Sequence, residues 1–219
     1  LEGKIHVIHM GVEVPEVIHH VKRERQEIIL MTPANLLPVK GHRYMIEACN
    51  LLKSEGIKVK YWIVGDGPLE KDLKQRVQKA MLEDVVVFLG RLPHNQVVEM
   101  YKKRSVDAVV LPSISANNNN YEGIPVALME AMSYEVPVFS TETGSIPELI
   151  DNGSGIMVKD KDAIVLAEAV KKLINDKAFY KQIARRGRKK IIREFSENKT
   201  SRMLVELFES SAKKGDFYE

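Results

Sequence analysis

Two glutamates stand on either side of a predicted helix start in the stretch Glu-Gly-Ile-Pro-Val-Ala-Leu-Met-Glu, residues 122–130. Pro125 suits the first position of a helix, where an N–H would have no partner, and Gly123 lets a ligand approach the backbone. The free N–H groups of a first helical turn bind anions, and carboxylates accept hydrogen bonds from hydroxyl groups. The stretch therefore predicts a site for a phosphate joined to a sugar, between Glu122 and Glu130. A capped helix with one solvated glutamate is the alternative.

A lysine at a second predicted helix start could bind the same anion. Lys40 closes the stretch Pro-Ala-Asn-Leu-Leu-Pro-Val-Lys, residues 33–40, which follows the first predicted strand. An ammonium group there offers three donors to a diphosphate, whereas an isolated lysine is more often solvated. Loops that follow the strands of an open parallel sheet lie at one edge of it. We therefore expect the two stretches to meet around one ligand.

Short apolar runs alternate with longer helical patterns through most of the chain. Most of these runs are continuously apolar, which is typical of strands that are buried on both faces of a parallel sheet. The predicted strands are 28–32, 59–64, 85–89, 108–111, 136–140 and 156–158. The predicted helices are 42–54, 69–82, 95–103, 125–133 and 163–175. This alternation predicts right-handed βαβ crossovers.

The chain is thus predicted to be an α/β protein with a doubly wound, mostly parallel, Rossmann-like sheet of about six strands, flanking helices and a helical carboxy-terminal extension. Residues 28–175 form the sheet domain, and residues 176–219 form the extension. Residues 1–27 are interpreted as the end of a preceding domain and a linker, with a strand-like run at 5–9. Because the chain begins Leu-Glu-Gly, it is interpreted as a piece of a longer protein.

The extension combines an apolar stripe with a basic surface, and it is predicted to be helical through residue 215. Apolar or small residues recur every fourth position, which predicts one buried helical face: Phe179, Ile183, Gly187, Ile191 and Phe195. The basic residues are Lys181, Arg185, Arg186, Arg188, Lys189 and Lys190. A solvated helix face is the simpler interpretation, and a surface that binds anionic lipid or nucleic acid is the alternative.

Composition excludes several classes of protein. Lys plus Arg number 33 against 30 for Asp plus Glu, and a net charge of +3 gives no reason to expect a nucleic-acid partner. The single cysteine, Cys49, excludes an intramolecular disulfide and a thiolate metal cluster, and it fits a reducing compartment. No apolar run approaches the roughly 18 residues of a membrane-spanning helix. A cytoplasmic location is expected.

Further motifs surround the two loops in a fixed order. They are Pro-Val-Lys-Gly at 38–41, Val-Gly-Asp-Gly-Pro at 64–68, Leu-Gly-Arg-Leu at 89–92, Leu-Pro-Ser at 111–113 and Gly-Ser-Ile-Pro-Glu-Leu-Ile at 144–150. Together with the pair of glutamates separated by seven residues, these motifs resemble the carboxy-terminal half of retaining glycosyltransferases of group 1 (family 4), which have two Rossmann domains in the GT-B fold. Residues 9–12 resemble the last strand of the amino-terminal domain as it enters the linker.

The resemblance implies roles for the matching residues. Lys40 would hold the diphosphate of a UDP- or GDP-sugar, Glu122 would be the catalytic residue against the donor sugar, and Glu130 would bind the ribose hydroxyls. The family usually has Arg at the position of Asn35, so either donor affinity is lower or another cation, such as Arg91 or Arg43, supplies the charge. The other donor-binding residues implied are Gly90, Arg91 and Leu92 around the nucleobase and Gly123, Ile124, Pro125 and Val126 around the diphosphate and sugar.

The resemblance also implies the reaction. The whole enzyme would transfer a hexose with retention to a glycan or lipid-linked acceptor in polysaccharide or cell-envelope biosynthesis, with the acceptor held by the amino-terminal domain. Helix amides and Lys40 would stabilise the leaving diphosphate, so neither a metal nor another cofactor is expected. The nucleotide sugar is a substrate, and the fragment alone is expected to be inactive. A lipid-linked acceptor would bring the protein to the anionic inner membrane face as a peripheral protein.

Three other interpretations start from different residues. Asp160-Lys161-Asp162 has the Asp-x-Asp pattern of metal-dependent glycosyltransferases, although an aspartate that opens a helix is usually its cap. Gly65-Asp66-Gly67-Pro68 begins like a dinucleotide fingerprint but lacks the third glycine, and the histidines lack the spacing of a zinc site. A metal-dependent enzyme that uses Asp160 and Asp162, and a non-catalytic module that binds a nucleotide or an anionic surface, remain the alternatives.

Overall fold

The computed structural model describes residues 5–18, 27–115, 122–151 and 153–213. Six strands form one sheet in the order β3-β2-β1-β4-β5-β6, and every neighbouring pair is parallel. The strands are β1 (Ile28–Pro33), β2 (Val59–Val64), β3 (Val86–Gly90), β4 (Ala108–Leu111), β5 (Val138–Thr141) and β6 (Ile156–Val158). The helices are α1 (His42–Ser54), α2 (Glu70–Lys79), α3 (His94–Lys102), α4 (Val126–Ser133), α5 (Ile146–Leu149), α6 (Ala163–Asn175), α7 (Lys177–Lys190) and α8 (Glu197–Lys213). The predicted doubly wound α/β fold is confirmed.

The predicted ends of β5 and α2 differ from the observed ones, and in both cases the local backbone explains where the element begins or ends. Strand β5 begins at Val138 and not at residue 136, because Pro137 has no N–H to donate to the ladder. Helix α2 ends at Lys79, three residues before the predicted end, because Met81 adopts a left-handed conformation with φ 52°. All four residues of β4 and of β5 are buried, which explains their continuous apolar runs.

Helices cover both faces of the sheet, and each face has its own apolar core. Helices α1, α2 and α6 pack on one face through residues such as Leu52, Leu73 and Leu166. Helices α3 and α4 pack on the other face through residues such as Val97 and Met129. Each fully buried side chain of this size contributes about 1.5–3 kcal/mol relative to exposure. The two cores therefore hold α1 and α4 on opposite faces of the sheet.

The carboxy-terminal extension confirms the predicted apolar stripe. Helix α7 continues into one π-helical turn (Ile191–Phe195), and α8 follows after a break at Ser196. The stripe residues Ile183, Gly187, Ile191 and Phe195 are buried, and Phe179 is half-buried. Most of the apolar residues of α8 are exposed. No helix in the described ranges is long and apolar enough to cross a membrane.

Within the predicted basic face, Lys190 and Arg188 contact other parts of the protein. Lys190 is only 6% exposed, and its Nζ lies 2.5 Å from Asp151 and 2.8 Å from Glu194. The Arg188 guanidinium donates to the backbone oxygens of Ser133 and Pro15. The other four are exposed: Lys181, Arg185, Arg186 and Lys189. The predicted basic surface is therefore smaller than the sequence suggests.

Residues 5–9, the strand-like run in the sequence, form no strand in this structure. Ile5 and Val7 are more than 70% exposed, and the run has no neighbouring strand within the described part of the chain. A strand needs such a neighbour for its backbone hydrogen bonds. The segment is attached further along, where Val12 N donates to Phe195 O and Val12 O accepts from Glu197 N, both at 2.9 Å.

Candidate functional site

The order of the strands creates a crevice between β1 and β4. These strands are neighbours in the centre of the sheet, yet the helices that follow them, α1 and α4, lie on opposite faces. The loops after β1 and β4 must therefore diverge at the carboxyl edge of the sheet. In open α/β sheets, ligands bind at this switch point. The two loops singled out from the sequence are the two that line it.

Lys40 and Glu122 meet across this crevice. The Lys40 Nζ lies 2.6 Å from Oε1 and 2.9 Å from Oε2 of Glu122, although the residues are 82 positions apart. Ser113 Oγ donates to Glu122 Oε2 at 3.2 Å. The side chains of Lys40 and Glu122 are only 21% and 9% exposed. The expected convergence of the two loops is thus observed, with a shielded cation and a shielded carboxylate in direct contact.

Two glycines allow the loops to approach this closely. Gly41 has φ +65°, and a Cβ built on it would overlap the carbonyl oxygen of Pro112 in the loop after β4. Next to this contact, Ile114 N donates to Val39 O at 2.8 Å. Gly144 has φ +54°, and a Cβ there would overlap the carbonyl oxygen of Glu122. At Gly41 and at Gly144 the backbones of neighbouring loops are therefore packed without room for a side chain.

The motif at 65–68 holds the loop after β1 from the other side. Leu36 is fully buried, its N–H donates to Asp66 O at 2.8 Å, and its carbonyl accepts from Leu69 N at 3.1 Å. In the sequence this motif is an incomplete dinucleotide fingerprint and part of the ordered set of motifs. In the structure, the motif fixes the loop that carries Asn35 and Lys40.

A buried polar chain runs beneath the same loop. The Thr32 hydroxyl donates to Val110 O at 2.5 Å, and the Tyr61 hydroxyl donates to Thr32 Oγ1 at 2.8 Å. His42 continues the chain, with Nδ1 3.3 Å from the Tyr61 oxygen and Nε2 3.2 Å from the Asn35 carbonyl oxygen. The Tyr61 proton already points to Thr32, so both ring nitrogens of His42 face acceptors.

Hydrogen bonding and burial have opposite effects on the charge of His42. A doubly protonated imidazole would serve both acceptors, whereas a neutral one has a single N–H to donate. Burial nevertheless lowers the pKa of His42 to about 4; the bond to the Asn35 carbonyl opposes this shift, and the Lys40 charge adds to it. Desolvation wins, and His42 is neutral near pH 7.

The start of α4 differs from the prediction by one residue. The helix begins at Val126, and Pro125 is its N-cap with ψ 117°, because the Pro125 carbonyl already accepts from the N–H groups of Leu128 and Met129. No side chain caps this end, and the N–H groups of Val126 and Ala127 have no acceptor among the described residues. A Cβ on Gly123 would meet no atom within 4 Å. The predicted anion-binding turn is therefore open.

Glu130 lies in α4 and contacts a residue that sequence reasoning had set aside. His94 Nε2 is 2.6 Å from Glu130 Oε1, with side-chain exposures of 71% and 20%. His94 opens α3, shortly after the 90–92 loop. In that loop Gly90 accepts from Gly65 N at 2.8 Å, Arg91 is exposed, and Leu92 packs against the second core.

The charge that the usual arginine would supply at position 35 has no replacement from Arg43. Asn35 is exposed and contributes its backbone carbonyl to the His42 contact. The Arg43 guanidinium lies over the Tyr44 ring, 4.6 Å from its centre, and donates to the Tyr44 hydroxyl. Lys40 is thus the cation that the structure brings to Glu122.

The Asp-x-Asp motif has a structural use. Asp162 is the N-cap of α6, and its Oδ1 accepts from the N–H groups of Ile164 and Val165 at 3.0 and 3.2 Å. Asp160 Oδ2 accepts from Ser115 N at 2.9 Å. Both carboxylates therefore bind backbone amides. Among the described residues, no three His, Cys, Asp or Glu side chains form a group that could hold a metal.

Three contributors to the site were missed from the sequence, namely Ser113, His42 and His94. Ser113 stands in the Leu-Pro-Ser motif directly after a predicted strand, and that position at the carboxyl edge was a usable signal. His42 and His94 had been considered only as zinc ligands. Their side-chain partners, Tyr61 and Glu130, are 19 and 36 residues away, so no local pattern indicated these contacts.

Comparison with known proteins shows the family of this chain. Residues 16–190 match the family model described as glycosyl transferases group 1. The amylovoran biosynthesis glycosyltransferase AmsK of Erwinia amylovora is 37% identical over 212 residues, which are 95% of this chain and 51% of AmsK. WcaL of Salmonella typhimurium, whose name assigns it to colanic acid biosynthesis, is 36% identical over 94% of this chain and 51% of its own length. The chain thus spans about half the length of the curated relatives it matches.

Solved structures share the fold. The structure of Anabaena HepE in complex with UDP-glucose superposes with a TM-score of 0.74, over 84% of this chain and 49% of HepE, at 22% identity. At that identity the likeness concerns the fold, and the family match over 16–190 provides the classification. The chain belongs to the group 1 family of glycosyltransferases.

Proposed function

We propose that this chain is the donor-binding half of a retaining glycosyltransferase that transfers a hexose from a UDP- or GDP-sugar to a glycan or lipid-linked acceptor. The observation that carries the proposal is the Lys40–Glu122 contact at the β1–β4 switch point, beside the uncapped start of α4. A cation, open helix amides and a shielded carboxylate are the groups that a sugar diphosphate needs.

In this proposal the two ends of the crevice bind different parts of the donor. Lys40 and the amides of Gly123, Ile124 and Val126 hold the diphosphate and sugar, while Pro125 shapes the turn. Glu130 binds the ribose hydroxyls, and the 90–92 loop lines the nucleobase pocket. Asn35 adds a neutral contact where the family usually has arginine.

The chemistry follows from where charge develops. Cleavage of the bond between the anomeric carbon and the phosphate oxygen leaves its electron pair on the diphosphate and makes the sugar oxocarbenium-like. Lys40 and the α4 amides are preorganised to stabilise the diphosphate, and this role requires neither a metal nor another cofactor. An arriving diphosphate competes with Glu122 for Lys40. The Glu122 carboxylate is then released to accept hydrogen bonds from the donor sugar at the reacting carbon.

The names of the relatives support the choice of pathway and acceptor in this proposal. AmsK and WcaL are named for the biosynthesis of amylovoran and colanic acid, and HepE was solved with UDP-glucose. These names support a nucleotide-sugar donor and a polysaccharide pathway for the whole protein. We place the acceptor on an amino-terminal domain, which is absent from these 219 residues. A peripheral cytoplasmic position at an anionic membrane would use the exposed Lys181, Arg185 and Lys189.

Calorimetric titration of UDP, GDP and their sugars, with magnesium or with EDTA, tests the proposal. We expect one of the two nucleotides to bind equally well in both buffers, and Lys40→Ala to lower that affinity about 10- to 100-fold, since hydrogen bonds to charged groups contribute about 1.5–3 kcal/mol. Lys53→Ala is the matched control, because Lys53 forms an exposed ion pair with Asp84 on another surface.

Three outcomes would contradict the proposal. Binding of neither nucleotide removes the donor site, and equal affinities of the Lys40 and Lys53 variants remove Lys40 from it. Binding that requires magnesium and is lost in Asp160→Ala supports the metal-dependent alternative instead.

A further inference from the structure

We propose that His94 is a positioning residue for the nucleotide ribose, acting through Glu130. The inference rests on the proposed donor site and adds a residue to it. Its basis is the contact between His94 Nε2 and Glu130 Oε1 at 2.6 Å.

The contact joins two helices at the edge of the sheet where the nucleotide would lie. His94 is the first residue of α3 and Glu130 lies in α4, and both helices pack into the same core through residues such as Val97 and Met129. Helices that follow parallel strands begin at the carboxyl edge, so His94 stands on the same side as Lys40 and Gly123. The 90–92 loop, which is proposed to line the nucleobase pocket, is only two residues before it.

The chemistry of the contact leaves Glu130 able to bind a diol. With the proton on Nε2, the imidazole donates to Oε1, and Oε2 together with the remaining lone pair of Oε1 stays free to accept from two vicinal hydroxyls. A free glutamate side chain loses substantial rotamer freedom when it is fixed. A carboxylate already held by His94 loses less of that freedom on binding, which favours the bound state.

A purely structural role for His94 finds little support in its surroundings. The cap of α3 is Pro93, and no side chain makes a capping hydrogen bond at this end. The His94 side chain is 71% exposed, so its packing contribution is small. Removal of the imidazole should therefore change ribose binding and leave the fold intact.

The test compares UDP with 2′,3′-dideoxy-UDP, and GDP with its dideoxy analogue, by calorimetry on the wild type, His94→Ala, Glu130→Ala and the double variant. We expect His94→Ala to weaken binding of the preferred nucleotide about three- to tenfold, the range of an ordinary hydrogen bond. We expect no change for the dideoxy analogue and no further loss in the Glu130→Ala background. His94→Gln, which keeps a donor, should recover part of the affinity.

The control is Lys53→Ala, which removes one partner of an exposed ion pair with Asp84 on another surface. Three results would overturn the inference even if the wild type binds the nucleotide. They are an equal loss of affinity for the ribose and dideoxy nucleotides in His94→Ala, a full effect of His94→Ala in the Glu130→Ala background, and wild-type affinity of His94→Ala. Failure of both UDP and GDP to bind the wild type would overturn the proposed function and this inference with it.

Discussion

At the scale of single residues, the site depends on groups whose charge is set by their surroundings. Lys40 and Glu122 neutralise one another in a shielded crevice, and Ser113 adds a donor to the carboxylate. An ion pair taken out of water gives little net stability, because desolvation offsets much of the attraction. The pair is better understood as a binding arrangement in which an anionic ligand can replace Glu122 as the partner of Lys40.

His42 makes the stability of the protein depend on pH. Its pKa is about 4 in the folded protein and about 6.5 when exposed, so the unfolded chain binds more protons between these values. Stability from this residue is complete above pH 6.5 and falls as the pH drops toward 4, by about 3 kcal/mol in total. Urea unfolding of the wild type and His42→Gln across this pH range measures the effect as the difference between the two curves.

The glutamine variant keeps a donor for the Asn35 carbonyl but does not titrate. The wild type should therefore lose more stability on acidification than His42→Gln does. Parallel curves for the two proteins would mean that the buried imidazole is already charged or that the chain beneath the loop opens readily. His94→Ala, which alters an exposed histidine, serves as the reference.

At the scale of elements, the site is made by loops that touch through backbone. Gly41 and Gly144 have no side chain, so the loops that carry Lys40 and Glu122 can pack with their backbones in contact. The loop after β1 is held on its other side through Leu36. Loop geometry at the carboxyl edge is thus determined by contacts between the loops that follow four strands, β1, β2, β4 and β5.

Gly41→Ala tests this close packing, with Gly56→Ala as its matched control. Both glycines have positive φ, +65° and +75°, but a Cβ on Gly56 meets no atom within 4 Å. We expect Gly56→Ala to cost about 1–2 kcal/mol from the left-handed backbone alone. Gly41→Ala adds the overlap with the Pro112 carbonyl and should cost more, with a loss of nucleotide affinity that Gly56→Ala does not share. Urea unfolding and calorimetry measure both effects, and equal behaviour of the two variants would show that the loops tolerate separation.

At the scale of the whole molecule, the site spans the centre of the sheet. Strands β1 and β4 are its two middle strands, and the cores on both faces include residues from them. A ligand that joins the loops after β1 and β4 therefore stabilises both cores at once.

Thermal unfolding should report this coupling. At a UDP or GDP concentration of 100 times Kd, mass action contributes about 2.7 kcal/mol, which is about 5–10 °C in Tm for a chain of this size. We expect the whole transition to move as one and the shift to be the same in EDTA as in magnesium. Scanning calorimetry would contradict this expectation if the transition split into two steps of which one stayed in place, or if the shift required the metal.

The sequence by itself determined the fold class, the two site loops and most of the elements, although the short helix α5 was not predicted. Apolar periodicity and turn residues are local properties, so all six strands were predictable. The errors were small and lay at the ends of elements, such as Pro137 before β5 and Met81 after helix α2. Residues 5–9 form no strand here, because a strand needs a neighbouring strand for its backbone hydrogen bonds and apolar residues alone do not provide one.

Tertiary structure alone decided which side chains meet. Lys40 and Glu122 are 82 residues apart, and their contact depends on β1 and β4 being neighbours in the sheet. The His94–Glu130 contact depends likewise on α3 and α4 sharing one face. The order of the strands and the sheet face that each helix covers result from packing between distant parts of the chain. The sequence therefore indicated the loops, and the folded chain determined which side chains are in contact.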